Sequence, residues 1–125
     1  MLRLRRVDIE RSREVREKID RYVREVVEKL HPSLIVLFGS FSSGEINEGS
    51  DVDILVVADF KEGFLERIRT LMDLNRFRIP IEPVGYTPKE FEDMKRKGNL
   101  FVTEVLEKGK ILYESQPTRR ATNSS

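Results

Sequence analysis

The sequence contains no cysteine and no tryptophan, and its only histidine is His31. Without thiols there can be no disulfide framework, no Cys-ligated zinc and no thiolate nucleophile. One imidazole cannot make a multi-histidine metal site. No run of 18 or more apolar residues occurs, which leaves nothing of membrane-spanning length. The opening stretch MLRLRRVDIE has no apolar core of the kind a signal peptide needs, so a cytoplasmic setting is expected. An excess of one charge sign is also missing: 23 Lys+Arg stand against 22 Asp+Glu, for a net charge of +1. That balance argues against a generic polyanion-binding domain, and against a highly charged disordered chain. What remains is a chain of 125 residues, 38% hydrophobic and 36% charged. At this length about two thirds of the unfolded surface can be buried, enough for one domain's core. Residues 1–114 are read as that single domain and residues 115–125 (SQPTRRATNSS) as a disordered tail.

Lysine and arginine are missing in one place in particular. Residues 31–60 contain none, and their charges are Glu45, Glu48, Asp51, Asp53 and Asp59, a local net of −5. The rest of the chain carries 23 basic against 17 acidic residues. An acidic segment without counter-charges of its own must face water, find distant basic partners or hold cations.

The periodicity predicts alternating helices and strands. Residues 8–30 carry Val15, Ile19, Tyr22, Val23, Val26, Val27 and Leu30 at spacings of three and four. This is one apolar helical stripe, with Asp8 as the expected N-cap and Pro32 as the stop. The charges around it read as a solvated face with i,i+4 pairs such as Glu25–Lys29, and Tyr22 reads as core. His31 reads as a helix-end residue. Ser33–Phe38 and Val52–Ala58 are short apolar runs rich in β-branched residues, which suits buried strands. Residues 62–75 predict a helix with Leu65, Ile68, Leu71 and Met72 facing inward. Arg78–Tyr86 predicts a strand whose two prolines point to an edge position or bulges. Thr87-Pro88-Lys89-Glu90 has the form of a capping box with proline in the first turn. That helix should stop at Gly98, with a further helix over Leu100–Lys108 and a short last strand from Lys110 to Tyr113. With a short helix after Gly39, the order is α-β-α-β-α-β-α-α-β, and the fold class is α/β.

Chemistry concentrates in Leu37–Val57, LFGSFSSGEINEGSDVDILVV. Gly39 and Ser40 end a buried strand. Glycine permits a sharp turn and close approach of a ligand, and a helix starting at Ser40 would aim free N–H groups at an anion such as phosphate. The chain returns to the sheet with Asp51-Val52-Asp53. On a strand, i and i+2 share a face about 7 Å apart at Cα, so the two carboxylates can converge while Val52 points to the core. A turn explains Asp51, but a second carboxylate inside an apolar strand would be costly unless it served a cation. Oxygen-only ligands select hard cations, here Mg²⁺ or Mn²⁺. A phosphate-binding turn beside a carboxylate pair implies a metal-bound nucleoside triphosphate. Glu82, the single acidic residue in RIPIEPV, is the candidate third carboxylate, able to share a metal and accept a proton. Arg76 and Arg78, near the same strand, are candidate phosphate contacts.

Gly39-Ser40, ten intervening residues and then Asp51-x-Asp53 between apolar strands resembles the signature of the DNA polymerase β-like nucleotidyltransferase superfamily. Over roughly residues 15 to 113 the chain is similar to its minimal nucleotidyltransferases, which are often partnered with HEPN-domain proteins. The resemblance implies a nucleotidyltransferase fold, an α+β arrangement in which a small mixed sheet is flanked by helices. It further implies metal-dependent transfer of a nucleoside monophosphate with release of pyrophosphate, using two Mg²⁺ and ATP. In antitoxin members the acceptor is a tyrosine of the HEPN toxin. Carried over, Gly39 and Ser40 hold the triphosphate, Asp51 and Asp53 the metals, and Glu82 takes the third carboxylate position. Ser50 matches the frequent Ser-Asp-x-Asp. Where many members have a basic residue near Ser43, this chain has Phe41-Ser42-Ser43-Gly44, so any basic grip on the triphosphate must come from elsewhere.

Two functions compete at this stage. One is an enzyme transferring AMP from ATP to a protein hydroxyl. The other is an antitoxin-like subunit that neutralises its partner by contact alone. The clustered carboxylates favour the first, since a purely structural subunit gains nothing from them. A polymerase or tRNA-modifying enzyme is disfavoured, because it would need further nucleic-acid domains or a basic surface.

Overall fold

A computed structural model describes residues 2–39 and 52–115. Helix α1 spans Leu2–Leu30, β1 Leu34–Phe38, β2 Val52–Val57, α2 Phe64–Asp73, β3 Ile81–Tyr86, α3 Pro88–Arg96, α4 Leu100–Lys108 and β4 Lys110–Glu114. The elements follow the predicted order. The short helix expected after Gly39 lies outside the described residues, as does the tail from residue 116 onward. The first helix is longer than predicted and contains Asp8 instead of being capped by it. The stretch LRLRRVDIE is made largely of good helix formers with neither Pro nor Gly to stop it. The third strand is shorter than the predicted Arg78–Tyr86, because Arg78 sits at a left-handed φ of 60°.

The four strands form one mixed sheet in the order β3-β2-β1-β4. β1 pairs antiparallel with both β2 and β4, and β2 pairs parallel with β3. A parallel neighbour requires a crossover, and α2 supplies it. β3 is an edge strand, where the missing N–H of Pro83 is tolerated.

Helices cover both faces. On one face, Ile19, Tyr22, Val23 and Val26 of α1 and Leu71 of α2 pack against Ile35, Leu37, Val52, Ile54 and Val56. On the other, Phe91 of α3 and Val102 and Val105 of α4 pack against Val36, Leu55 and Val57. β2 is therefore covered on both sides, which is why it reads as a continuous apolar run. Each fully buried Val, Leu or Ile contributes roughly 1.5–3 kcal/mol. Tyr22 is core, as its position on the stripe predicts: fully buried, it donates its hydroxyl to the Leu71 carbonyl at 2.7 Å and ties α1 to α2. Burial pushes its phenol well above the ordinary tyrosine range.

The inward face of α2 differs from prediction. Leu71 is buried and Ile68 half-buried, but Leu65 and Met72 face solvent. The buried residue one turn before Leu71 is Arg67, whose Nε donates to the Glu62 carbonyl (2.8 Å) and Nη1 to the Gly85 carbonyl (3.2 Å). Its guanidinium forks onto Glu90 at 2.7 and 3.2 Å and lies over the Phe60 ring. Glu90 also completes the Thr87 capping box that starts α3. Three elements are locked together at the end of β3 remote from Glu82.

Candidate active site

The site is built at the ends of three adjacent strands. In the antiparallel pair Phe38 lies opposite Asp53, and in the parallel pair Asp53 lies opposite Glu82. Glu82, Asp53 and Phe38 thus form one row across the sheet, with neighbouring strands about 4.8 Å apart. All three share the α3/α4 face. Phe38 packs into that cluster directly, and Asp53 and Glu82 alternate with Val52 and Ile81 of the opposite one. Asp53 is half-buried and Glu82 exposed, so the row opens to solvent on the β3 side.

Gly39 follows Phe38 and closes over Asp53. Its φ of +80° is a conformation that L side chains rarely adopt. A Cβ placed there would run into the Asp53 carboxylate, with Cγ at 3.1 Å and one oxygen closer still. The carboxylate lies against bare backbone, a packing only glycine allows. The sequence reading assigned Gly39 to a turn open to close approach, and the structure adds that Asp53 makes that approach.

Carboxylates from neighbouring strands offer hard oxygen donors, which suit Mg²⁺ or Mn²⁺. Among the described residues no group of three His, Cys, Asp or Glu is gathered to hold a metal. Asp53 and Glu82 form a pair, and Asp51, the third predicted ligand, lies outside the described residues, as do Ser40 and Ser50.

Other candidates fall elsewhere. Arg76 bonds Glu25 of α1 at 3.1 Å and lies over the Phe77 ring. His31 ends α1 at φ 49° and lines a cavity of about 590 Å³ with Val23, Val27, Leu112 and Tyr113. That cavity involves α1, which covers the face opposite Asp53. The sequence reading missed Phe101, at the start of α4, which meets Phe38 edge-on beside the acidic row. No local pattern links residues so far apart in the chain; its only signal was an aromatic at a helix start.

Comparison with known proteins identifies the family. The sequence matches the family described as Polymerase beta, Nucleotidyltransferase over residues 17–118. Two relatives from Methanocaldococcus jannaschii are both named as candidate protein adenylyltransferases. One is 33% identical over 79 residues, covering 63% of this chain and 76% of the relative. The other is 30% identical over 105 residues, covering 77% and 69%. Among solved structures, a candidate nucleotidyltransferase of Sulfolobus solfataricus superposes with a TM-score of 0.61 at 17% identity, over 86% of this chain and 87% of that one. A toxin–antitoxin structure with AMP-PNP superposes with a TM-score of 0.54 at 21% identity, over 82% and 78%. At those identities the structural likeness speaks for the fold. The sequence matches go further: the chain belongs to the polymerase β nucleotidyltransferase family and fits its minimal nucleotidyltransferases.

Proposed function

We propose that the protein is a metal-dependent protein adenylyltransferase, moving AMP from ATP onto a hydroxyl of a partner protein, and that it acts as the antitoxin of a toxin–antitoxin pair. The observation that carries this reading is the cross-strand Asp53–Glu82 pair beside the bare backbone of Gly39. The names of the two relatives support protein as the acceptor, and the AMP-PNP in the toxin–antitoxin neighbour supports an adenine nucleotide as donor. A tyrosine of a HEPN-type toxin is the acceptor that the family resemblance suggests. ATP as donor fits a cytoplasmic setting, and among the described residues no helix is long and apolar enough to cross a membrane. Residues 1–114 would form the single catalytic domain.

Asp51, Asp53 and Glu82 would hold the Mg²⁺ ions, and Gly39, Ser40 and Ser50 the triphosphate. The metal, when bound, offsets the negative charge of the phosphates during in-line displacement. Gly39 lets phosphate oxygens come close to the backbone beside Asp53. Glu82, the more exposed of the two described carboxylates, accepts the proton of the incoming hydroxyl. The acceptor oxygen bonds to the α-phosphorus, the bond to the bridging oxygen of the β-phosphate breaks, and pyrophosphate leaves.

The competing reading is neutralisation by contact alone. Asp53→Asn and Glu82→Gln separate the two. We expect the ATP-dependent mass increase on the co-purified partner to fall at least a hundredfold in rate with either variant, while pull-down of the partner is unchanged. Neutralisation of the partner that survives Asp53→Asn in full would establish the contact mechanism instead.

A further inference from the structure

The acidic row does not stop at Asp53. Beyond it stands Phe38, and against Phe38 packs Phe101 of α4, with ring centroids 5.4 Å apart and planes at 82°. Phe38 is half-buried and Phe101 keeps 37% of its surface open. Phe91 of α3, on the same side of the sheet, is by contrast only 4% exposed. A phenylalanine on a packed helix is ordinarily driven inside, because the ring is among the largest apolar payloads a side chain can bury. Phe101 instead lies at the margin of the site, braced by Phe38.

The row therefore has a polarity, with carboxylates at the β3 side and aromatic surface at the β1 side. Phe38 is one strand spacing, about 4.8 Å, from Asp53. The ring of Phe101 packs against that of Phe38, with 5.4 Å between their centroids. A nucleoside triphosphate has the matching polarity, since its phosphates seek the cation held by carboxylates while its base is flat and π-faced. We infer that Phe101, backed by Phe38, is the platform on which the nucleobase stacks. This rests on the nucleotidyl-transfer reading above. Stacking does not read hydrogen-bond edges, so the platform accepts any base. It favours purines over pyrimidines through their larger ring area.

The chain has no tryptophan, so Phe101→Trp introduces a single fluorophore at the platform. With Mn²⁺ present, ATP should quench its emission and inorganic tripolyphosphate should not. Phe101→Leu keeps apolar bulk against Phe38 and should weaken ATP binding about tenfold, with tripolyphosphate binding unchanged. Circular dichroism melts check that both variants fold. The inference is overturned if Phe101→Leu binds ATP as the wild type does, or if the tryptophan responds alike to ATP and tripolyphosphate. It is also overturned if only the KM for the acceptor rises, which would give the ring to the acceptor. Wild type that binds tripolyphosphate but gains nothing from the base defeats the platform and leaves the phosphate site standing. Wild type that binds neither defeats both.

Discussion

Gly39 shows how much one residue without a side chain can determine. It must hold a left-handed φ of +80° and must leave room for the Asp53 carboxylate. Either demand alone excludes most residues, and together they exclude alanine. Gly39→Ala should cost at least about 1–3 kcal/mol in urea denaturation, from the forced backbone conformation together with the clash against the Asp53 carboxylate, and should reduce transfer activity far more by displacing Asp53. In an Asp53→Ala background the same change should cost less, because the clash is gone and only the strain at φ remains. Additive costs in the double variant would contradict the close packing of the two residues. At this scale much of the site was legible in the sequence. Gly39 stood out because it ended an apolar strand, Asp53 because it interrupted one, and Glu82 because it was the lone acid in another. Their adjacency in register was not legible, since strand pairing is a non-local property. Phe101 stayed hidden for the same reason.

Among the elements, α2 shows where periodicity misleads. Spacing puts Leu65, Ile68, Leu71 and Met72 on one stripe, yet the helix buries Arg67 and leaves Leu65 and Met72 outside. The Glu90 carboxylate and two backbone carbonyls compensate the guanidinium, and a pattern that scores arginine as polar cannot foresee that. The Arg67 fork holds the Glu90 carboxyl below the usual glutamate range. A carboxylate whose pKa is depressed by folding stabilises above its unfolded value, near 4.3, and that stability is lost as pH falls through the depressed folded value. Thermal stability should therefore drop from about pH 5 downward, and Glu90→Gln should lower it at neutral pH while flattening the acid limb. Melting curves across the acid range test this, and an unchanged acid limb in the variant would count against the network. The capping box of α3 and the edge position of β3 were readable from Thr87, Glu90 and Pro83, because those signals are local in sequence.

For the whole molecule, the near-zero net charge of +1 hides a segment of −5 set in a basic remainder. The fold places part of that segment, Asp53, beside Glu82 from a different region of the chain. Helices on both faces fix the sheet. Cations bound at that pair would reverse the local sign and make the site attractive to a polyanion such as a triphosphate. The family shows that nucleotides are the chemistry of this fold, and the function proposed above requires that the group transferred is the nucleotide and its acceptor is protein. The most direct measurement is incubation of the protein and its co-purified partner with Mg²⁺ and ATP labelled at either the α- or the γ-phosphate. Label from the α position should become acid-stable on the partner and that from the γ position should not, with the signal lost in Asp53→Asn. Transfer of the γ label, or no protein-bound label from either, would rule out nucleotidyl transfer to the partner.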